Sequence, residues 1–374
     1  MKILAVDVGT GTQDILLYDT RREPENAFKM VVPSPTRLIA RAVEGATRAG
    51  EPLLLTGVTM GGGPSGWAIE EHLRAGLRVF ATPDAARTMD DDLDALAAKG
   101  VVLLSDDEAI SLSGVRRLRL VDLDWAALRS AFASLGVNLD ETDLVAVAVF
   151  DHGAAPPHVS DRRFRFDYLA ERIRSGLGLG SFAFAREDIP ASMTRLRSAA
   201  TSAPDDLPVL AMDTAPAAVL GALEDPVVRR EHESTVVNVG NMHTLAFRLS
   251  GESIAGLFEH HTGKLDGRSL RTLLQQLSVG RISFEEVFDG HGHGALVLGQ
   301  AAKETALVAV TGPRRSLLAG VLISLATGRE PVHPYLAVPY GDMMMAGCWG
   351  LVSAAARILP WAAEPITEGL RRGG

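Results

Sequence analysis

Short apolar runs alternate along the chain with segments whose apolar residues recur every three or four positions, the patterns of buried strands and of one-faced helices. Residues 3–8 make the first run and 14–19 the second, joined through Gly9-Thr10-Gly11-Thr12, which predicts a β-hairpin with a tight glycine turn. Residues 27–32 predict a third strand, and 38–49 a helix stopped by Gly50. Next come a buried strand at 52–60 ending in Gly61-Gly62-Gly63-Pro64, a helix at 67–75, a short strand at 77–81 and a helix at 90–99. A continuous apolar run at 143–150 predicts a strand that ends at Asp151-His152-Gly153.

Beyond a polar, proline-containing zone at 198–208 the pattern restarts. Residues 209–212 predict a strand and 215–223 a helix of small residues. A strand at 234–239 ends in Gly240 and takes 244–249 as its hairpin partner. Residues 305–310 predict a strand running into Thr311-Gly312-Pro313, and 317–326 a buried helix. Strands and helices alternate in both halves, so the expected class is α/β. The expected division is into lobes at 1–200 and 201–374, each with a strand, a glycine turn and a return strand.

Composition narrows the field of functions. A chain of 374 residues, 47% hydrophobic and 22% charged, has material for two cored domains. Its formal charge of −9, with no dense Lys/Arg run, argues against a nucleic-acid partner. No run of about 18 apolar residues exists to span a membrane. The first residues are apolar too briefly for a secretory leader, so the cytoplasm is the expected location. The single cysteine, Cys348, excludes a disulfide framework and a cysteine-ligated iron–sulfur cluster. Among methionine and glycine it reads as a small buried hydrophobe.

Candidate chemistry concentrates at the strand ends. In Asp7-Val8-Gly9-Thr10-Gly11-Thr12 an acid closes a buried strand, glycines free the backbone N–H groups and two threonines add hydroxyls. These are the parts needed to hold nucleotide phosphates, with Asp7 ordering Mg²⁺. A plain structural hairpin with a capping Asp is the alternative. Asp151 and His152 are candidates for a general base and its modulator, against a strand-end Asp that merely braces a turn. Gly61, Gly62 and Gly63 precede a helix and suit an anionic substrate, or an ordinary strand–helix turn. His260, His261, His291 and His293 are candidates for substrate contact or a second metal. The spacing of the last two puts both rings on one face of an extended segment. Hydrogen-bonding loop histidines are the other reading.

The run from Ile3 to Thr12 resembles the first phosphate-binding hairpin of the acetate and sugar kinase, Hsp70 and actin superfamily. Met212-Asp213-Thr214-Ala215-Pro216 resembles its first connecting helix, and residues 237–244 its second phosphate hairpin. Thr311-Gly312-Pro313 resembles the adenosine turn, and 341–356 the second connecting segment. The resemblance implies a two-lobed actin-like ATPase with ribonuclease H-like lobes, an interlobe nucleotide cleft, and ATP and Mg²⁺ as ligands. Carried over residue by residue, it implies phosphate contacts at Gly9, Thr10, Gly11, Thr12, Gly240, Asn241, His243 and Thr244. Thr311, Gly312 and Pro313 would meet adenosine, and Arg314 just after them is read either as a contact to adenine or ribose phosphate or as part of a solvated charge pair. Asp7 and Asn238 would face the metal, with Asp213 as a substitute carboxylate because Asn238 stands where an aspartate is usual. The chain is also similar to a branch labelled as related to pyruvate formate-lyase activating enzyme. Such an enzyme needs three clustered cysteines, and one cysteine does not supply them.

Three functions follow as expectations. The first is an ATP- and Mg²⁺-dependent phosphotransferase or ATPase acting on a small molecule. The second is an ATP-driven switch for a protein partner, and the third a histidine-based metal site or a nucleotide-binding scaffold without turnover. Whether the chain forms a homo-oligomer stays open.

Overall fold

A computed structural model describes residues 1–174, 176, 178–298, 305–325 and 330–373. Among these residues the strands form two six-stranded sheets and one four-stranded sheet. The buried run Lys2–Val8 lies at the heart of the first sheet, where every inward position from Ile3 to Val6 is fully buried. Thr12–Asp19 returns antiparallel to it, and Phe28–Pro33 follows antiparallel. On the other side Leu144–Val149 and then Val209–Asp213 run parallel, with Ala183–Ala185 antiparallel at the edge.

The second sheet repeats this plan. Glu233–Val239 is central, with His243–Ser250, Ser253–His261 and Gly294–Val297 antiparallel on one side. Leu307–Thr311 and Tyr335–Leu336 lie parallel on the other. Both lobes thus share one strand order: a three-stranded meander whose first strand continues into two parallel strands.

Two helices join the lobes by crossing over. Thr214–Ala222 leaves the last parallel strand of the first sheet and packs on the second, while Ala346–Ile358 comes from the end of the second lobe and packs on the first. They cross at glycine. A Cβ on Gly221 would overlap the Ala346 carbonyl, and one on Gly350 the Ala217 carbonyl. A Cβ on Gly347 would overlap the Asp7 carboxylate, so the second helix also presses on the end of the first strand.

Three expectations need correction. Val209–Asp213 belongs to the first sheet and Ala346–Ile358 packs on it, so sheet membership does not follow a division at residue 200. The segment 317–325 is not a helix. A short 3-10 turn at Arg315–Leu318 ends where Gly320 adopts φ +69°, a conformation that stops helical propagation; residue 326 lies outside the described residues. Residues 35–120 build a sub-sheet of four parallel strands, Leu53–Gly57, Val79–Ala81, Val101–Leu103 and Arg116–Leu120. The sequence reading placed only two of those strands. Among the described residues no helix is long and apolar enough to cross a membrane.

The helix crossing is testable. Gly221→Ala is expected to cost about 1–3 kcal/mol in urea unfolding, the usual penalty of overpacking. Gly45→Ala, in the helix Pro35–Ala49 with nothing within 4 Å of the added carbon, is expected to be neutral or to stabilise by about 0.5–1 kcal/mol.

Candidate functional site

The crossing helices bring the two hairpin turns onto opposite walls of one cleft. Gly9, Thr10 and Thr12 line it from the first lobe, and Gly240, Asn241 and His243 from the second. The turns are closed alike: Gly9 N–H donates to the Thr12 carbonyl and Gly240 N–H to the His243 carbonyl, each at 3.0 Å. Their tips touch, since a Cβ on Gly11 would overlap the Asn241 side-chain amide. Thr311, Gly312 and Pro313 line the same cleft, with Asn238 leaning its side-chain oxygen toward Gly312.

The floor on the first-lobe side is acidic. Asp7 and Asp14 are direct cross-strand partners, both buried and both lining the cleft. Burial pushes the Asp7 carboxyl up to about 7, opposed by a hydrogen bond from the Thr214 hydroxyl. Burial and then the charge of Asp7 push Asp14 up to about 8. Asp14 Oδ1 has no hydrogen-bond partner among the described residues although it is fully enclosed. Two neighbouring carboxylates with an orphaned oxygen form a set that a divalent cation satisfies. The sequence reading singled out Asp7 but gave Asp14 no role. Its signal was the hairpin register, which places it opposite Asp7.

Residues 60–317 match the family described as "Putative pyruvate format-lyase activating enzyme (DUF1786)". The chain belongs to this family. None of the curated proteins matches it. Among solved structures the chain is similar to the Lmo2764 protein from Listeria monocytogenes at 11% identity and a TM-score of 0.35, covering 95% of this chain and 98% of that one. It is also similar to the ROK hexokinase from Thermus thermophilus (13%, TM-score 0.32, 97% and 100% covered). A third is the ethanolamine utilization protein EutJ from Carboxydothermus hydrogenoformans (11%, TM-score 0.31, 94% and 89% covered). The strand order repeated in both lobes is itself the ribonuclease H-like arrangement, and the fold is that of the actin, sugar-kinase and Hsp70 superfamily. The activity in the family's description does not fit the ligand count: Cys348, the single cysteine, is fully buried against the Ala5 and Asp14 carbonyls.

A second cavity of about 290 Å³ adjoins the cleft and shares Gly9, Thr10, Phe150, Arg195, Met242 and His243 with it. Its far wall comes from the inserted sub-sheet, whose Thr59, Gly61, Gly62, Gly63, Arg87 and Thr88 line it. The loop at 58–62 follows the carboxyl end of a parallel strand, the usual edge for ligands in such sheets. Arg195 stands where the cavities meet, its guanidinium forked onto Asp122 at 2.7 and 3.0 Å and bonded to the Phe150 carbonyl at 2.6 Å. A lone arginine in a helix carries no sequence signature, and the sequence reading missed it.

Several candidates sit elsewhere than expected. Asp151 accepts from the Gly153 and Leu196 N–H groups, each at 2.8 Å, so both carboxylate oxygens brace the turn and the backbone, an arrangement that suits the structural alternative better than a base. Asp213 is not open to a metal. It caps the helix Thr214–Ala222 and pairs with Arg165, a fully buried guanidinium that also forks onto Glu259 at 3.0 and 3.1 Å. Thr244 is buried and bonded to Thr262 behind the turn. Arg314 is exposed and outside the cleft lining.

The histidines divide by strand alternation. His261 lies opposite His243 in register, with ring centroids 4.9 Å apart, whereas His260 turns to the other face against Gly292. His291 and His293 do not share a face: His291 is exposed at φ +70°, and His293 is fully buried beside His261. His152 joins this group from the first lobe, its ring 5.6 Å from that of His293. Phe150 stacks flat on His243 at 4.0 Å.

The raised acids fix a pH dependence. An unfolded Asp releases its proton near pH 4, whereas folded Asp7 and Asp14 hold theirs to about pH 7 and 8. Across that window the unfolded chain binds fewer protons, so metal-free stability falls as pH rises. In EDTA, Asp14→Asn is expected to melt about 2–4 °C above wild type at pH 8, roughly 1 kcal/mol in domains of this class, and with it at pH 4. Thermal denaturation over pH 4–9 checks this.

Proposed function

We propose that the chain binds ATP with Mg²⁺ between the two hairpin turns and transfers the terminal phosphoryl group to a small polar molecule in the adjoining cavity. The observation that carries the proposal is the pair of identically closed glycine turns on opposite walls of one cleft, with two buried carboxylates under the first. Backbone N–H groups at such turns hold phosphate oxygens without net positive charge. That suits a chain of charge −9.

Asp7 and Asp14 are the residues that would hold Mg²⁺, which supplies charge neutralisation on the phosphates when bound. The second lobe contributes no carboxylate at the matching positions, where Asn238 and Leu245 stand. Metal binding therefore falls to the first hairpin alone. Thr311, Gly312 and Pro313 form the wall for the nucleoside end. Arg195, shared by both cavities, offers a fixed cation to the group in transit. Phosphoryl transfer through a loose transition state asks chiefly for positioning and charge. A strong general base is accordingly not required, in keeping with the bonded state of Asp151. The second cavity, at about 290 Å³ and walled by threonine hydroxyls and two arginines, suits a small polar acceptor and not a macromolecule.

Titration calorimetry with Mg-ATP is expected to show one site per chain, and ATP loss to rise on adding the acceptor from a panel of small metabolites. Asp7→Asn is expected to lower affinity or turnover at least about tenfold, ~1.4 kcal/mol. Thr244→Ala, behind the turn, is expected to bind as wild type. A flat wild-type titration contradicts the proposal.

A further inference from the structure

Where the two cavities meet, the fold gathers imidazoles from both lobes. His152 follows the buried strand Leu144–Val149 of the first lobe, His243 opens the return strand of the second hairpin, and His293 precedes the edge strand Gly294–Val297. Each offers one ring nitrogen, and the three nitrogens lie within 4.8 Å of one another. His243 Nε2 and both ring nitrogens of His293 are buried with no hydrogen-bond partner among the described residues. A buried polar atom left unpaired is costly, so unpaired nitrogens on two adjoining rings call for a ligand that the described packing does not supply.

The donor set identifies the ligand. The carboxylate of Glu259 is held by Arg165, and its Oε2 stands 4.0 Å from His293 Nδ1, beyond hydrogen-bond distance. A cluster of imidazoles without a free carboxylate selects a first-row transition ion and disfavours Mg²⁺, which prefers oxygen.

We propose that His152, His243 and His293 bind one divalent first-row transition-metal ion, zinc being the reference case, at the junction of the two cavities. Three protein ligands leave a coordination position open, as in catalytic and not in structural zinc sites. His152 and His243 also line the second cavity, so that position is available to water or to an oxygen of the cavity's occupant. One ligand comes from the first lobe and two from the second, and occupancy therefore ties the lobes together. The site is separate from the Asp7–Asp14 pair and does not depend on nucleotide binding.

Tag-free, EDTA-stripped protein titrated with Co²⁺ tests the proposal with the metal alone. With Mg²⁺ in excess to occupy the Asp7–Asp14 pair, one equivalent is expected to bind with visible d–d absorption, and one equivalent of Zn²⁺ to displace it. His293→Ala and His152→Ala are each expected to weaken binding at least about 100-fold, more than the 10–100-fold typical of groups behind a ligand. His291→Ala, at an exposed position outside the cluster, is expected to keep both stoichiometry and spectrum. If the buried His293 variant does not fold by circular dichroism, the His152 variant decides. Wild type without cobalt absorption, or absorption that survives in the folded His152 variant, overturns the site.

Discussion

Everything in the cleft depends on how closely two helices cross. Thr214–Ala222 and Ala346–Ile358 meet backbone to backbone because Gly221 and Gly350 have no side chains to hold them apart. That approach sets the separation of the sheets on which the helices lie. It thereby brings turns distant in sequence, at residues 9–12 and 240–243, into contact at their tips. Gly347 extends the same constraint to chemistry, because only a glycine there leaves room for the Asp7 carboxylate. Packing and function are coupled at a single helix.

The interior of the chain holds buried ion pairs. Arg165 sits between Asp213 of the first lobe and Glu259 of the second, an ionic link whose loss on one side leaves a buried charge unpaired. Asp122 and Arg195 form a second link, tying the inserted sub-sheet to the first lobe. Against these satisfied pairs, the unsatisfied groups stand out. Asp14 Oδ1, His243 Nε2 and both ring nitrogens of His293 are buried with no hydrogen-bond partner among the described residues. The paired charges are the ones that join one lobe to the other.

Much of this was legible in the sequence because strand-end glycine turns are local. The central hairpins, Lys2–Val8 with Thr12–Asp19 and Glu233–Val239 with His243–Ser250, follow from apolar runs and their turns. What stayed hidden was set by pairing across distance. Asp14 acquires meaning only from its register opposite Asp7, and Arg195 only from the meeting of a helix with a sub-sheet strand end. The histidine cluster joins positions 152, 243 and 293, so no spacing rule reaches it. The adjacent-looking pair His291 and His293 misled because the turn at His291 has positive φ and breaks the alternation of an extended segment. Asp151 and Asp213 have the right chemistry, but backbone N–H groups and Arg165 had already claimed their oxygens.

The central claim is that one ligand is gripped from both lobes at once, and amide hydrogen exchange reads it directly. On adding Mg-ATP, the account predicts slowed exchange at residues 9–12 and 240–243 together, at the same ligand concentration. Protection confined to one turn, or absent from both while nucleotide is bound, contradicts it.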